Sequence, residues 1–176
     1  MKATGIVRRI DELGRVVIPK EIRRTQHIRE GDPLEIFISA DGNVIFKKYS
    51  PLGEWMTAVQ QAAQVLAKSL GQAVIICDRE HVLAGEGGAA KEMQDRRISE
   101  AMMHRMEGRK SGLLEDETLF VCQGMTHPAA AMAPILVQGD LLGAVVALRT
   151  QTELPEPAAM LAQITLTANL LAKHME

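Results

Sequence analysis

The sequence is poor in aromatic residues, with one Trp, one Tyr and three Phe among 176 residues. Proteins that bind single-stranded nucleic acids stack the bases on aromatic side chains, so this composition argues against that class. Cysteine is also scarce. Cys77 and Cys122 lie far apart, each within an apolar run, and this spacing fits neither a disulfide framework nor a zinc site. We expect two buried thiols, no bound metal and no cofactor.

Long hydrophobic runs are absent as well. No apolar stretch approaches the ~20 residues that cross a bilayer, and the first residues lack the apolar region of a signal peptide. The hydrophobic content of 47% with 24% charged residues is typical of a folded, globular chain. We therefore expect a soluble, cytoplasmic protein with one domain or two small ones.

Charge divides the chain into two parts, which we call the head (residues 1–50) and the body (residues 51–176). The net charge of −2 results from +3 in the head and −5 in the body, and residues 1–29 alone carry +5. A local basic cluster on an acidic chain indicates an anionic partner at one end. Nucleic acid is the leading candidate for that partner.

The first half of the head predicts a hairpin followed by a helix. Residues 5–10 and 15–18 are rich in β-branched side chains and flank a turn at residues 11–14 that contains Gly14. Pro19 then favours the start of a helix of about two turns. The Gly31-Asp32-Pro33 sequence marks where this region breaks.

A second hairpin is predicted from Leu34 to Lys47, so the head has four strands in all. Its strands, residues 34–38 and 44–47, are joined through Asp41-Gly42, which is a strong turn signal. Apolar residues occur on both faces of both hairpins, and a unit of about fifty residues has little room for a core of its own. We therefore expect the head to be buried against a second copy in a homodimer.

Five arginines within seventeen residues are the candidate nucleic-acid ligands of the head. Three flank the first turn and two lie on the short helix, so they can share one surface. The guanidinium group favours bidentate contacts with phosphates and guanine edges. The alternative is a solvated face, because most charged side chains only keep a fold soluble. The five are Arg8, Arg9, Arg15, Arg23 and Arg24.

The run GIVRRIDELGRVVIPKEIR at residues 5–23 resembles the swapped-hairpin DNA-binding domain of AbrB-type transition-state regulators. The resemblance covers residues 1–50 and implies an intertwined dimer, in which the hairpins of both chains form one β-barrel that binds duplex DNA. It also implies a set of DNA-contacting residues, namely Arg8, Arg9, Arg15, Arg23 and Arg24, with Lys2 and Lys20 as weaker members.

Both ends of the body carry apolar residues at heptad spacing. After a linker at residues 51–55, the domain at residues 56–176 begins and ends in such a helix. Each stripe could cover the chain's own sheet or form an intersubunit bundle, since periodicity does not identify the partner. The resemblance favours a bundle that joins two swapped dimers into a tetramer. The stripes comprise Leu52, Met56, Val59, Ala63, Leu66, Leu70, Leu161, Ile164, Ala168, Leu171 and Met175.

Between these helices the sequence predicts about five strands and one helix. The strands are predicted at residues 72–77, 81–84, 119–122, 129–137 and 141–148, and the helix at residues 89–106. This order resembles a GAF domain. The fold class is thus α+β, with a swapped-hairpin β-barrel followed by an α/β GAF-like domain between two flanking helices. The resemblance implies a pocket between sheet and helices for a small-molecule effector, which the residues do not identify.

Three features could belong to such a pocket, each with a structural alternative. Residues 85–90 fit the phosphate-binding pattern GxGxxA, although a glycine turn before a helix is favoured. Glu115-Asp116-Glu117 lies in a loop that forms either a lid or a simple connection. His127-Pro128 is either a ligand contact or a turn. The five histidines are scattered, and no nucleophile motif accompanies them, so no enzyme is predicted.

The function predicted from these features is a DNA-binding transcription regulator, active as a homo-oligomer without a membrane partner. The head and body together resemble the sporulation regulators of Bacillus-type bacteria, which implies sporulation genes as targets and a nucleoid association when DNA is bound. Two alternatives belong to other classes. Swapped-hairpin heads also occur in antitoxins that neutralise a toxin partner, and a metabolite-binding protein or enzyme could carry a basic head incidentally.

Overall fold

The structure is a computed structural model that describes residues 4–26, 28–114, 118–150 and 156–175. The chain forms two compact units, Met1–Tyr49 and Ser50–Glu176, which we continue to call the head and the body. None of the helices in the described residues is long and apolar enough to cross a membrane. Within the same residues, no cluster of three or more His, Cys, Asp or Glu side chains could hold a metal ion.

The head contains one short helix and one hairpin. Helix α1 (Lys20–Thr25) begins directly after Pro19, whose fixed φ suits a helix start. Strands β1 (Leu34–Ile38) and β2 (Val44–Lys48) pair in antiparallel register, with Ile36 opposite Phe46 and Ile38 opposite Val44. Gly42 closes the turn between them at a φ of 78°. The second predicted hairpin is therefore confirmed.

The first predicted hairpin is present only as its turn. Asp11 N donates to Arg15 O (3.1 Å) and Gly14 N to Asp11 O (2.9 Å), with Gly14 at a φ of 74°. Residues 5–10 and 15–18, on either side of this turn, form no strands within one chain. A two-stranded ribbon is marginal unless its apolar face is covered, and among the described residues Val7, Ile10 and Val17 of these segments are exposed.

The body is a five-stranded antiparallel sheet with helices on both faces. The sheet order is β4-β3-β7-β6-β5, and every neighbouring pair is antiparallel. In chain order the elements are α2 (Pro51–Glu54), α3 (Met56–Leu70), β3 (Val74–Asp78), β4 (Val82–Glu86), a 3₁₀ segment (Gly88–Met93), α4 (Glu100–Glu107), β5 (Gly112–Leu113), β6 (Ala129–Val137), β7 (Asp140–Leu148) and α5 (Pro157–His174).

Strand β3 shows how the sheet separates two hydrophobic cores. All five of its residues are buried, and successive side chains of a strand point to opposite faces. Val74 and Ile76 join the core beneath α3 and α5. Ile75 and Cys77 join the core on the α4 face, which also contains Cys122. Both thiols are buried and free, as predicted, and burial raises the pKa of the Cys77 thiol.

The prediction of a single helix at residues 89–106 is wrong, because the chain pairs with the edge of the sheet in the middle of this range. After the 3₁₀ segment, Asp95 adopts a φ of 63° and the chain runs along β4. There Asp95 N donates to Val82 O, and Val82 N donates to Arg96 O, both at 2.9 Å. Only then does Ser99 begin α4, its Oγ accepting from Met102 N at 3.0 Å. Backbone groups of an edge strand need partners, and this segment supplies them.

The strand predicted at residues 119–122 is also wrong. Within it only Cys122 forms a β-bridge, with Ile98, while the sheet edge beside β6 is occupied by β5, where Leu113 pairs with Ala131. Glu115-Asp116-Glu117 lies outside the described residues, as does Pro155. The number of strands in the sheet nevertheless agrees with the prediction of about five.

Both heptad stripes face the chain's own sheet, which corrects the predicted intersubunit seam. Eight of the eleven side chains are buried, and the other three pack against the same core. A side chain already covered within one chain is not available to a second chain. The buried members are Leu52, Val59, Ala63, Leu66, Leu70, Ile164, Ala168 and Leu171; the partly buried ones are Met56, Leu161 and Met175.

Candidate DNA-binding surface and relatives of the chain

The five candidate arginines are all exposed. Arg8 and Arg9 precede the Asp11–Gly14 turn, and Arg15 follows it. The other two candidates, Arg23 and Arg24, occupy the last turn of α1, where cations are favourably placed against the helix dipole. Lys20, the first residue of α1, is exposed too, whereas Lys2 lies outside the described residues.

Arg15 is held by the carboxylate that also shapes the turn. Asp11 Oδ2 accepts from Arg15 Nε at 2.7 Å, while Asp11 Oδ1 accepts the backbone N–H groups of Leu13 (3.0 Å) and Arg15 (2.8 Å). The Arg15 backbone N–H, followed by its guanidinium, holds the pKa of the Asp11 carboxyl below its ordinary value. The Arg15 side chain remains 71% exposed, so the turn orients this guanidinium without burying it.

The remaining four arginines keep their charge unneutralised at the surface. In the described part of the chain no acidic side chain forms an ion pair with Arg8, Arg9, Arg23 or Arg24, and Arg8 Nη1 only contacts the neighbouring Val7 O at 3.1 Å. Unpaired arginines are suited to bind an external polyanion.

A second surface of the head is apolar and uncovered. The hydrophobic core clusters of the described chain begin at Leu52, and in the described part of the head only Pro19 is buried. On one face of the hairpin the cross-strand pairs Ile36–Phe46 and Ile38–Val44 are exposed to solvent. The full exposed set comprises Ile6, Val7, Ile10, Leu13, Val16, Val17, Ile36, Phe37, Ile38, Val44, Phe46 and Tyr49. So many exposed large apolar side chains within one small unit indicate an interaction site.

The glycine pattern at residues 85–90 is structural. A Cβ at Gly85 would collide with the carbonyl oxygen of Ala90, and Gly87 and Gly88 have φ values of 87° and 49°. Strand β4 before the glycines runs antiparallel to β3, whereas a dinucleotide-binding unit requires parallel strands. The favoured interpretation, a glycine turn, is confirmed. His127 lies in a bend before β6 and, with Gly87 and Gly88, lines a crevice of the body.

Family comparisons identify the chain over most of its length. A family model described as stage V sporulation protein T C-terminal, transcription factor, matches residues 54–176. Stage V sporulation protein T of Bacillus subtilis is 46% identical over 100% of this chain and 99% of that protein. The chain belongs to the stage V sporulation protein T family. The predicted resemblance and the predicted function class, a transcription regulator, are therefore confirmed.

The head also matches shorter proteins. The transition state regulatory protein AbrB of Bacillus subtilis is 63% identical over 51 residues, which are 29% of this chain and 52% of that protein. A model described as antidote-toxin recognition MazE, bacterial antitoxin, matches residues 7–52. The antitoxin match stops at the end of the head. The family assignment of the remaining residues to transcription factors therefore disfavours the antitoxin alternative.

The body has the fold predicted for it. A structure of the cyanobacteriochrome receptor PixJ is 14% identical over 72% of this chain and 98% of that chain, with a TM-score of 0.53. At this identity the similarity concerns the fold alone. The α+β fold class, with an AbrB-like head and a GAF-like body, is confirmed.

Proposed function

We propose that this protein regulates sporulation genes by binding duplex DNA through an intertwined dimer of heads. The observation that carries the proposal is the combination, within fewer than fifty residues, of unpaired surface arginines and an apolar surface without a core. The residues proposed to contact DNA are Arg8, Arg9, Arg15, Arg23 and Arg24, with Lys2 and Lys20 in weaker roles. The domain limits proposed from the sequence, with the head ending near residue 50, assign DNA binding to the head.

The uncovered apolar surface supports the dimer. Burying one large apolar side chain contributes about 1.5–3 kcal/mol, and a single head buries none of its own. A second head can cover the exposed hairpin face and supply partners for the unpaired segments at residues 5–10 and 15–18. A dimer of two identical heads has two-fold symmetry, and it therefore presents every arginine twice. An interface of this kind makes folding of the head depend on dimerisation.

The salt dependence of DNA binding tests the proposal directly. If a dimer neutralises about six phosphates, the logarithm of the association constant should fall against the logarithm of salt concentration with a slope of about −5. Fluorescence anisotropy with a promoter duplex and a random duplex, between about 50 and 200 mM salt, measures this slope. A flat dependence, or no binding to either duplex, contradicts the proposal.

We further propose that the body joins two dimers into a tetramer through the outer faces of α3 and α5. These helices are neighbours: Ser69 Oγ donates to Gln163 Oε1 at 2.8 Å, and the rings of Trp55 and His174 stack at 5.9 Å. Their outer faces expose Val65, Leu166 and Leu170.

The charge of these helices points to a second copy as the occupant of that face. Lys68 is the only charged residue of α3, and Lys173 and His174 are the only basic residues of α5, which has no acidic ones. A helix face exposed to water normally carries many charges. An uncharged face with large apolar residues suits self-association into a helical bundle. The two head dimers of one tetramer would then bind paired sites with higher avidity.

Charge introduced into this face should separate the tetramer into dimers. The double variant Leu166→Glu with Leu170→Glu places carboxylates where the bundle would be dry, so association should be lost while the buried core beneath is unchanged. Light scattering coupled to size exclusion measures the mass, and Gln123→Glu, on an exposed loop, is the control. We expect about 10- to 100-fold weaker binding to a two-site duplex and unchanged binding to a single site. A tetramer that survives the double substitution refutes this interface.

No enzymatic reaction is part of the proposed function. The histidines within the described residues lie in separate elements: His81 beside β4, His104 on α4, His127 before β6 and His174 at the end of α5. The body is instead proposed to sense a small molecule and to set the arrangement of the two heads. A ligand can change DNA affinity only by binding one arrangement better than another.

A further inference from the structure

We propose that Asp11 is a positioning residue that fixes Arg15 for reading a guanine edge in the major groove of duplex DNA. The inference deepens the DNA binding proposed above and rests on it. Among the five candidate arginines, the described structure pairs only Arg15 with a carboxylate. This pairing sets the direction in which the guanidinium of Arg15 can bind.

Asp11 is itself held in place by the turn that it begins. Its backbone N–H donates to Arg15 O at 3.1 Å, and its carbonyl oxygen accepts from Gly14 N at 2.9 Å. Its carboxylate oxygen Oδ1 accepts the backbone N–H groups of Leu13 at 3.0 Å and Arg15 at 2.8 Å. Because all these bonds lie within residues 11–15, the carboxylate is a fixed point on the surface and not a mobile partner.

The second oxygen of this carboxylate restricts how Arg15 can bind DNA. Asp11 Oδ2 accepts from Arg15 Nε at 2.7 Å, so one edge of the planar guanidinium is occupied. A guanidinium presents its N–H groups in a rigid fork, and the two Nη groups at the end of this side chain, which is 71% exposed, remain for DNA. Such a pair of donors matches the O6 and N7 acceptors of guanine, the commonest specific contact of arginine in the major groove.

The charge of this pair favours base reading over phosphate neutralisation. Asp11 offsets the positive charge of Arg15 at close range, so this arginine attracts phosphates less strongly than an unpaired one does. A carboxylate within a DNA-binding surface is also repelled by the phosphates of any sequence. That cost is offset if the carboxylate prepares the guanidinium for one contact, since a side chain held in advance loses less rotamer freedom on binding.

Asp11→Asn separates the positioning role from the folding of the turn. An asparagine oxygen can still accept the N–H groups of Leu13 and Arg15, and asparagine suits turns, whereas its amide nitrogen cannot accept from Arg15 Nε. Binding sites are selected from a random duplex library with the full-length wild type, Asp11→Asn and Arg15→Ala. We expect the wild type to select guanine at one or more positions, and both variants to lose about tenfold of that preference, as suits a bidentate base contact.

A modified base tests the contact itself. Replacing the selected guanine by 7-deazaguanine removes the N7 acceptor, so the wild-type affinity measured by anisotropy should fall about tenfold, and that of Asp11→Asn less than about twofold. Affinity for a random duplex should not fall in Asp11→Asn, because a negative charge beside DNA has been removed. Glu12→Gln is the matched control: Glu12 is exposed in the same turn and forms no ion pair within the described ranges, so the guanine preference should persist.

The opposite results would overturn the inference. An unchanged guanine preference in Asp11→Asn, or an equal loss of preference in Glu12→Gln, refutes the positioning role. Equal losses of affinity for selected and random duplexes in Asp11→Asn would mean that Asp11 only maintains the turn. Retained guanine preference in Arg15→Ala, or no guanine selected by the wild type, refutes base reading by Arg15. In all these cases the wild type still binds DNA, whereas a wild type that binds no duplex refutes the proposed function itself.

Discussion

Replacing Arg8 and Arg24 together by alanine is expected to lower the affinity for duplex DNA about 1,000-fold. Both guanidiniums are exposed, and neither has an acidic partner in the described structure. A two-fold dimer loses each of them twice, and a lost arginine contact costs at least about 1 kcal/mol. Four such contacts amount to about 4 kcal/mol, which corresponds to this factor. Neither side chain belongs to a buried core, so the fold should persist.

The control for this variant removes the same number of positive charges from the body. Lys110→Ala with Lys173→Ala should change DNA affinity less than about threefold, because neither lysine belongs to the proposed DNA-contacting set and surface charges that do not touch DNA are screened by salt. Anisotropy titrations give the affinities, while size exclusion and circular dichroism verify oligomer size and fold. If the double arginine variant keeps the oligomer size and the DNA affinity of the wild type, the basic charge of the head has no role in DNA binding. Arg8→Lys with Arg24→Lys adds a further distinction, since lysine preserves charge but not bidentate geometry.

Local signals predicted the turns of this protein well. The turn at Asp11–Gly14 and the hairpin turn at Gly42 both depend on a glycine with positive φ, a requirement that is readable from sequence. The strands on either side of the first turn were predicted from β-branched residues, yet they do not pair in one chain. In the proposed dimer a partner surface supplies their pairing, and propensity contains no information about which chain supplies it.

Long-range contacts explain the other differences between prediction and structure. Helix formers between Ala89 and Met106 favoured one helix, but hydrogen bonds with β4 divert the chain at Asp95. The heptad stripes do form apolar faces, as predicted. They do not form a seam between subunits, because the adjacent sheet already covers them. Periodicity reports that a face is buried without reporting what buries it.

The crevice shows a further limit of sequence reasoning. Gln72 was read as the first residue of a strand, and its neighbours Gly71 and Ala73 gave no reason to single it out. The only available signal was a polar residue at the entrance to a fully apolar strand. Its meaning depends on Thr150, which is 78 residues away.

Ile38→Asp is expected to abolish both dimerisation and DNA binding. Ile38 is 78% exposed in the single chain and stands opposite Val44 on the uncovered face of the hairpin. If the head were stable as a monomer, a charge at so exposed a position would change its stability by less than about 0.5 kcal/mol. In a dimer that buries this face, the same carboxylate would lose its hydration without gaining a partner, at a cost of several kcal/mol.

A stable monomeric head and a dimer that buries this face therefore predict very different effects of Ile38→Asp on mass and DNA affinity. Dimer loss should leave heads with no core and DNA affinity reduced at least about 1,000-fold, while the body, which buries its own two cores, should retain its thermal transition. Ala40→Asp introduces the same charge two residues away in the exposed turn and should behave as wild type. Wild-type mass and DNA affinity in Ile38→Asp would show that this face stays in water, and the dimer would then require a different surface.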